Sequence, residues 1–161
     1  SLEKNSSIID EKSLETKVLE LQDKKKITNE PIKSDTSSKL SEVQLSINEI
    51  LATKKINFER RSSVITADSL IVVEEIAKIL NDNPTFKIEV AGHTDSKGKE
   101  SLNKQISQDR ASSVADVLIS LGINKDRVSA VGYGEEFPIA KDDENGLSEI
   151  NRRVEFNILG E

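Results

Sequence analysis

The sequence predicts an α/β (α+β) domain with the order β-α-β-α-β-(short α)-β, in which two long helices pack on one face of a small four-stranded mixed sheet. Three observations favour this class. Short stretches such as "FKIEVAG" alternate apolar and polar residues, longer stretches repeat apolar residues at spacings of three and four, and glycine or proline stands where these patterns stop. Strands that alternate with helices predict helices packed on a sheet, and right-handed crossovers place both long helices on the same face.

The first 39 residues differ from the rest in composition. Residues 1–40 contain no glycine and no aromatic residue, and their eight acids balance eight lysines. Such a segment buries too little apolar surface to offset its ordering entropy, so we expect a polar, partly disordered linker over 1–39. Within it, Leu14, Val18 and Leu21 predict a short amphipathic helix that needs a partner. In "NEPIKSDTSSK", Pro31 and the Ser/Thr/Asp cluster predict a linker.

The structured domain is predicted to span residues 40–161. From Leu40 onward, apolar residues recur at spacings of three and four, which predicts a helix that ends near Lys54 and Lys55. In "KINFE", Ile56 and Phe58 alternate with polar neighbours, which predicts a first strand with one buried face.

The next elements have recognisable ends. Thr66 is a suitable N-cap for the first long helix, and Pro84 marks its end. Gly92 closes the strand "FKIEVAG". The second long helix is predicted from about Ser101 to Gly122, whose freedom in the left-handed region makes it a helix stop. Its apolar residues are expected to face the core: Ile106, Ala111, Val114, Leu118 and Leu121.

Two strands complete the pattern. "RVSAVGYG" predicts a strand that ends in a glycine turn, and "RRVEFNIL" predicts the last strand. The loop between them is predicted to contain a short helix near Leu147.

Composition excludes several classes of function. A length of 161 residues accommodates one ordinary domain and an appendage. A net charge of −6 and only five aromatic residues argue against nucleic-acid binding. Without cysteine there is no disulfide, thiolate metal site or cysteine nucleophile. No apolar run reaches the length of a membrane span, so we expect no membrane contact by this fragment, and its start at Ser1 without methionine suggests a processed or truncated form.

His93 is the single histidine, and it stands beside Thr94. A hydrolytic zinc site needs more imidazole ligands, and a hydroxyl nucleophile needs a base and an oxyanion hole. We therefore expect no enzyme, no metal and no cofactor, and we expect His93 to be a hydrogen-bonding residue at the end of a strand.

Two opposite charges are expected at one rim of the sheet. Asp95 follows the strand that ends at Gly92, and Arg110 lies fifteen residues later, close to the apolar face of the following helix. The pair is either a structural salt bridge or a site that opens around a zwitterion, with the guanidinium on a carboxylate and Asp95 on an ammonium. Thr94 and Asn103 add neutral hydrogen-bonding groups nearby.

The motifs resemble those of a known family. "GHTDSKGKESLNKQISQDRA", "GYGEEFP" and "NRRVEF" occur in the order and spacing of the OmpA-like C-terminal domain, which is also found in peptidoglycan-associated lipoproteins and flagellar-motor stator proteins. The resemblance covers about residues 45–159. The loop "ENGLSEINRR" departs from the family's usual pattern, with Leu147 after Gly146 and one more residue before Asn151.

The resemblance implies non-catalytic binding of peptidoglycan through the diaminopimelate head group of its stem peptide. The family's ligand-binding positions fall on Asp95, Arg110, Thr94, Asn103 and Arg152. It also implies a periplasmic, cell-envelope domain that another part of the protein tethers to a membrane. Two questions stay open: whether the N-terminal segment contacts a second copy or another envelope protein, and whether the domain is instead a periplasmic protein-interaction module with a vestigial pocket.

Overall fold

The computed structural model describes residues 31–160, and the residues from Leu40 onward form one compact unit. The predicted helix around Leu14, Val18 and Leu21 lies outside the described residues. The elements are α1 (Pro31–Thr53), α2 (Ala67–Asp82), β1 (Lys87–His93), α3 (Glu100–Ser120), a 3₁₀ turn (Lys125–Arg127), β2 (Val128–Gly134) and β3 (Arg153–Gly160). No helix within residues 31–160 has the length and apolar character that a membrane crossing requires.

β1 is the central strand of a mixed sheet with the order β2-β1-β3. It runs parallel to β2 and antiparallel to β3, so that Val90 lies opposite both Ala130 and Phe156. Because parallel strands need a crossover, α3 connects β1 to β2. Ile88 and Val90 are fully buried on the face that packs against the helices. The predicted class, with helices on a small mixed sheet, is confirmed.

The described sheet has three strands and not the predicted four. "KINFE" makes only one antiparallel bridge, between Phe58 and Ile65. At the edge strand β3, Gln44 of α1 donates its Nε2 hydrogen to the carbonyl of Phe156 (2.7 Å) and accepts the N–H of Ile158 (2.8 Å). A side chain of α1 therefore makes hydrogen bonds that a fourth strand would otherwise make.

At the opposite edge of the sheet, a glutamine side chain also binds the backbone of the edge strand, β2. Gln108 of α3 donates Nε2 to the carbonyl of Ala130 (3.0 Å), and its Oε1 accepts the N–H of Gly132 (2.9 Å). Each edge strand thus has two backbone groups hydrogen-bonded to the side-chain amide of one glutamine, Gln108 at β2 and Gln44 at β3.

The helix ends follow the sequence, with one exception. Thr66 caps α2 by accepting the N–H of Ser69 (3.4 Å), and α2 stops before Pro84, as predicted. Gly122, with φ 102°, follows α3 in the left-handed region that the stop signal requires. The exception is α1, which begins at Pro31 inside the stretch predicted as linker. Proline is favourable at the first helical position because its missing N–H has no intrahelical partner there.

The predicted short helix near Leu147 is wrong. Asp143 accepts the N–H groups of Asn145 (2.8 Å) and Leu147 (2.9 Å) with its Oδ1, and Gly146 adopts φ 77°. An aspartate that binds the backbone of the following residues favours a turn over a helix. This part of the loop between β2 and β3 is consequently a turn, which the Asp143 side chain stabilises.

Arg127 connects the end of α2 to the start of β1. Its Nε donates to the carbonyl of Phe86 (2.9 Å), and its Nη2 donates to the carbonyls of Leu80 (2.9 Å) and Asn83 (2.8 Å). Burial lowers the pKa of this guanidinium from its usual range. Three charge-assisted hydrogen bonds to backbone oxygens fix this corner of the fold.

α3 packs very closely on the sheet because two glycines face it. A Cβ atom on Gly92 would lie 2.2 Å from the carbonyl oxygen of Ser107, and one on Gly132 would lie 2.2 Å from the amide nitrogen of Gln108. Ile106, expected in the core, is instead 43% exposed. The largest fully buried apolar side chains, which α1, α2, α3, the sheet and the loop after α3 contribute, are Ile47, Val73, Ile76, Leu80, Ile88, Val90, Val114, Leu118, Ile123 and Phe156.

Candidate functional site

A cleft of about 860 Å³ opens where β1 ends beside α3. We call it the Asp95 cleft. Its volume is in the range of small-ligand sites, about 300–1,000 Å³. All five residues predicted to bind a ligand line it: Thr94, Asp95, Asn103, Arg110 and Arg152. The expectation that Asp95 and Arg110 meet at one rim of the sheet agrees with their positions, and the ligand-binding role of the five residues stays a prediction.

Asp95 is held from two sides. The backbone leaves β1 at Thr94, whose N–H donates to the carbonyl of Gly134 (2.8 Å). The Asp95 carboxylate is buried; its Oδ1 accepts the N–H of Lys97 (3.2 Å) and its Oδ2 accepts the N–H of Ser148 (3.1 Å). The loop before β3 therefore closes on the loop after β1, and the aspartate oxygens have a fixed direction.

The basic partner of Asp95 is not Arg110 but Arg152. Arg152 Nη1 lies 2.6 Å from Asp95 Oδ2, and the Arg152 side chain remains 41% exposed. Neither predicted arrangement of Asp95 with Arg110, the closed salt bridge or the pair open around a ligand, included this contact. An exposed arginine contributes little to stability through such a pair, but it neutralises the buried carboxylate in the free protein.

Arg110 points into the cleft without an acidic partner. Its Nε donates to the carbonyl of Ser62 (3.2 Å), and its guanidinium carbon lies 4.9 Å from the centre of the Phe58 ring. Burial, and secondly the charge of Arg152, lower the pKa of Arg110 from its usual range. No carboxylate among the described residues pairs with it. An arginine in this position stays charged and has N–H groups available for an anion.

Thr94 and Asn103 help to build the site. Thr94 Oγ1 donates to the Asp95 carbonyl (2.8 Å), and Asn103 Nδ2 donates to the carbonyls of Asp95 (3.3 Å) and Lys97 (3.1 Å). The hydroxyl and amide hydrogens that the sequence suggested for ligand contact are thus used to shape the loop around the carboxylate.

Sequence reasoning missed the residues that position the loop before β3, which forms one side of the Asp95 cleft. Asn151, fully buried, accepts the N–H groups of Ile139 (2.8 Å) and Ala140 (3.0 Å) and donates to Asp142 Oδ1 (2.8 Å). Asp142 in turn accepts the hydroxyl of Ser96 (2.5 Å), beside Asp95. The only sequence signal was the asparagine of the N-R-R motif, because the other partners become neighbours only in the folded chain.

His93 lies outside the Asp95 cleft and was wrongly expected to be a hydrogen-bonding residue. Its buried ring stacks on Tyr133, with centroids 5.4 Å apart, and meets the edge of Phe137. Nε2 lies 3.3 Å from Glu155 Oε2, yet neither ring nitrogen makes a hydrogen bond of acceptable geometry within the described part of the chain. Burial, and then Arg153, lower the pKa of His93 against the opposing effect of Glu155.

No metal centre is present in the described region. Among residues 31–160, no three histidine, cysteine or acidic side chains come together in a group that could hold a metal ion. Within the same residues, no histidine lines the Asp95 cleft. The cleft therefore combines a buried carboxylate (Asp95), a guanidinium without a carboxylate partner among the described residues (Arg110) and a partly exposed second arginine (Arg152), which together suit a zwitterionic ligand.

Several known proteins resemble this chain. It is 38% identical over 103 residues to outer membrane porin F of Pseudomonas fluorescens, covering 64% of this chain and 32% of the porin. It is 32% identical over 106 residues to the peptidoglycan-associated lipoprotein of Mesorhizobium japonicum, covering 66% of this chain and 63% of the lipoprotein. The chain therefore spans about a third of the porin and under two thirds of the lipoprotein.

Solved structures show the same fold. The C-terminal domain of Helicobacter pylori MotB matches with a TM-score of 0.59 and 31% identity, over 66% of this chain and 83% of that one. The peptidoglycan-associated lipoprotein of Burkholderia pseudomallei matches with a TM-score of 0.56 and 26% identity, over 68% and 91%. The model of the OmpA family matches residues 57–152, which is more than half of the sequence. The chain belongs to the OmpA family.

Proposed function

We propose that the Asp95 cleft binds the free amino-acid head group of diaminopimelate in the stem peptide of peptidoglycan, without catalysis, and so anchors an envelope protein to the cell wall in the periplasm. The main support is that a buried carboxylate, Asp95, and a half-buried guanidinium without an acidic partner, Arg110, line one cleft. An amino-acid head group has an ammonium and a carboxylate at a short, fixed separation, which complements these two charges.

We assign the ammonium of the ligand's head group to Asp95. A carboxylate has about four acceptor sites, and the contacts of Asp95 with Lys97, Ser148 and Arg152 use three, only one of them on Oδ1. One acceptor site on Oδ1 is left for the ligand. When the ammonium arrives, Arg152 is no longer needed to neutralise Asp95, and its half-exposed side chain is free to join the ligand's carboxylate.

We assign the carboxylate of the ligand's head group to Arg110. Its contact with the Phe58 ring orients the guanidinium plane, and the bond from Nε to Ser62 leaves the terminal nitrogens for the ligand. A guanidinium binds a carboxylate through two parallel hydrogen bonds, and the partial burial of Arg110 strengthens that interaction relative to water.

Binding without turnover is the expected chemistry. Within the described residues, no histidine lines the cleft, and the Thr94 hydroxyl donates its hydrogen to the Asp95 carbonyl. An activated nucleophile requires an adjacent base, which this arrangement does not supply.

The names of two relatives support the proposed anchoring to the cell wall. One relative is named a peptidoglycan-associated lipoprotein and another an outer membrane porin. One head group offers few contacts, so each site is expected to bind modestly. Repetition of the stem peptide along the wall compensates by avidity when several copies are tethered together.

The test is co-sedimentation of the full chain with isolated sacculi. Asp95→Ala and Arg110→Ala are each expected to reduce binding by roughly 30-fold or more, which corresponds to loss of about 2 kcal/mol from a hydrogen-bonded charge. Asp116→Ala and Arg60→Ala remove the same charges from exposed positions that do not line the cleft, and should bind as the unmodified chain does.

Free diaminopimelate, titrated calorimetrically, separates the site from the polymer. It should bind the unmodified chain and both control variants, with no detectable heat for Asp95→Ala. If both cleft variants fold and still sediment with sacculi, the assignment is wrong. A chain that ignores both sacculi and diaminopimelate would instead be a protein-interaction module with an unused pocket.

A further inference from the structure

A second, smaller cavity of about 240 Å³ adjoins the Asp95 cleft, and Arg110 and Arg152 line both. We call it the Lys55 pocket, because Lys55 and Arg153 complete its set of positive side chains. Among the described residues that line it, Glu149 is the one with a carboxylate. Four cationic residues around one small cavity are unexpected in a chain whose net charge is −6.

Lys55 has no acidic partner in the part of the chain that the structure describes. Its Nζ donates to the backbone carbonyl of Glu149 (2.5 Å). Burial lowers the pKa of Lys55, and the charges of Arg152, Arg153 and Arg110 act in the same direction, against Glu149. The ammonium therefore lies in surroundings that favour an added negative charge.

The other cations of the pocket differ in how far they are neutralised. Arg152 pairs with Asp95, and Arg153 pairs with Glu155 through its Nε (2.9 Å). Within the described residues, Lys55 and Arg110 have no carboxylate partner. Arg110 is assigned to the head group of the ligand in the Asp95 cleft, so Lys55 is the positive charge that this ligand contact does not use.

We propose that the Lys55 pocket binds a second carboxylate of the same stem peptide, adjacent to the head group in the Asp95 cleft. This inference rests on the proposed function. Diaminopimelate in the stem peptide follows a glutamate joined through its side chain, which leaves the α-carboxylate of that glutamate free. The Lys55 pocket shares Arg110 and Arg152 with the head-group cleft, so we assign to it the carboxylate of this neighbouring peptide residue, a charge that an amidated glutamate lacks.

The experiment compares three probes by calorimetry with the full chain: free meso-diaminopimelate, the tripeptide L-alanyl-γ-D-glutamyl-meso-diaminopimelate, and the same tripeptide with its glutamate α-carboxylate amidated. The unmodified chain should bind the free-acid tripeptide roughly tenfold or more tightly than the amidated one, the low end for a hydrogen bond to a charged group. Lys55→Met should abolish that preference and leave the affinity for free diaminopimelate within about twofold.

Two matched variants accompany Lys55→Met. Lys54→Met removes the same charge from the neighbouring residue, whose side chain is 57% exposed, pairs with Glu75 and does not line the pocket. It should keep the preference. Lys55→Arg retains a cation in the pocket and should keep most of it, which separates a charge effect from a loss of packing.

The outcomes are distinguishable from failure of the proposed function. If diaminopimelate binds normally but amidation changes nothing, or if Lys55→Met retains the preference, the Lys55 pocket is not a carboxylate subsite. If none of the probes binds, both proposals fail. Inorganic phosphate alone is the last probe: phosphate binding that depends on Lys55, without any effect of amidation, would identify a site for free anions and overturn the peptide assignment.

Discussion

Replacing Gly92 by alanine tests whether the close approach of α3 to the sheet sets both stability and binding. The new Cβ would lie 2.2 Å from the Ser107 carbonyl oxygen, whereas ordinary contacts begin near 3.4 Å, so helix and strand must separate by up to about 1.2 Å. Reduced entropy of the unfolded chain favours alanine by about 0.4–1 kcal/mol. Overpacking a tight interface costs about 1–3 kcal/mol. Since the clash involves backbone, we expect a net loss of about 2 kcal/mol.

The same shift should weaken ligand binding. Asp95 follows β1, while Arg110 lies on α3, so a separation of about 1 Å changes the distance between the two charges. Urea denaturation and calorimetric melting measure the stability, and calorimetric titration with diaminopimelate measures the binding.

Gly132→Ala provides the companion test, because its Cβ would meet the backbone of the same helix at Gln108, also at 2.2 Å. Once α3 has moved, the second substitution should cost less than the first, so the double variant should lose less stability than the sum of the single losses. A Gly92→Ala protein that melts and binds like the unmodified chain would refute the reasoning.

Three further predictions concern single residues. Arg127→Met leaves backbone carbonyls without their donors and should cost about 2 kcal/mol in urea denaturation, and Arg127→Lys should recover only part of it because an ammonium lacks the planar fork. Asn151→Ala removes four hydrogen bonds at a fully buried position and should cost about 3 kcal/mol; unchanged urea midpoints would contradict it. The pKa of His93 is lowered from 6.5, so the unfolded chain binds its proton at higher pH than the folded chain does. Stability should therefore fall as the pH drops below about 6.5 and through the folded pKa, and His93→Phe should flatten this slope in urea titrations between pH 7 and 5; an unchanged slope would refute the assignment.

Local patterns were sufficient to predict the elements that form the centre of the fold. The alternation in "FKIEVAG" corresponds to β1, the Thr66 cap begins α2, and Gly122 follows the end of α3. Each of these depends on residues a few positions apart, so the sequence alone contains the relevant interactions.

The fourth strand shows where local reasoning failed. "KINFE" has the right alternation, but a strand also needs a partner with free backbone groups. Gln44, more than a hundred positions before Phe156 and Ile158, takes those groups on β3. No spacing within "KINFE" reports the position of a glutamine on a preceding helix.

The sequence predicted residues that line the Asp95 cleft, but it did not predict the contacts between them. Asp95, Arg110 and Arg152 were all identified, yet the contact between Asp95 and Arg152 depends on a turn that Asp143 braces. The sequence pattern predicts that Lys55, like its neighbour Lys54, is a charge at the end of a helix. The helix stops at Thr53, and Lys55 lies instead among arginines distant in sequence.

The two glutamine amides at the sheet edges also affect how crowded molecules behave. Gln44 and Gln108 each occupy a donor and an acceptor that an incoming strand from another molecule would need. Unpaired strand edges are the usual starting points for sheet-to-sheet aggregation. Under the proposed function, many copies held side by side on one polymer reach high local concentrations, and a domain with these positions occupied tolerates such density without merging into a continuous sheet.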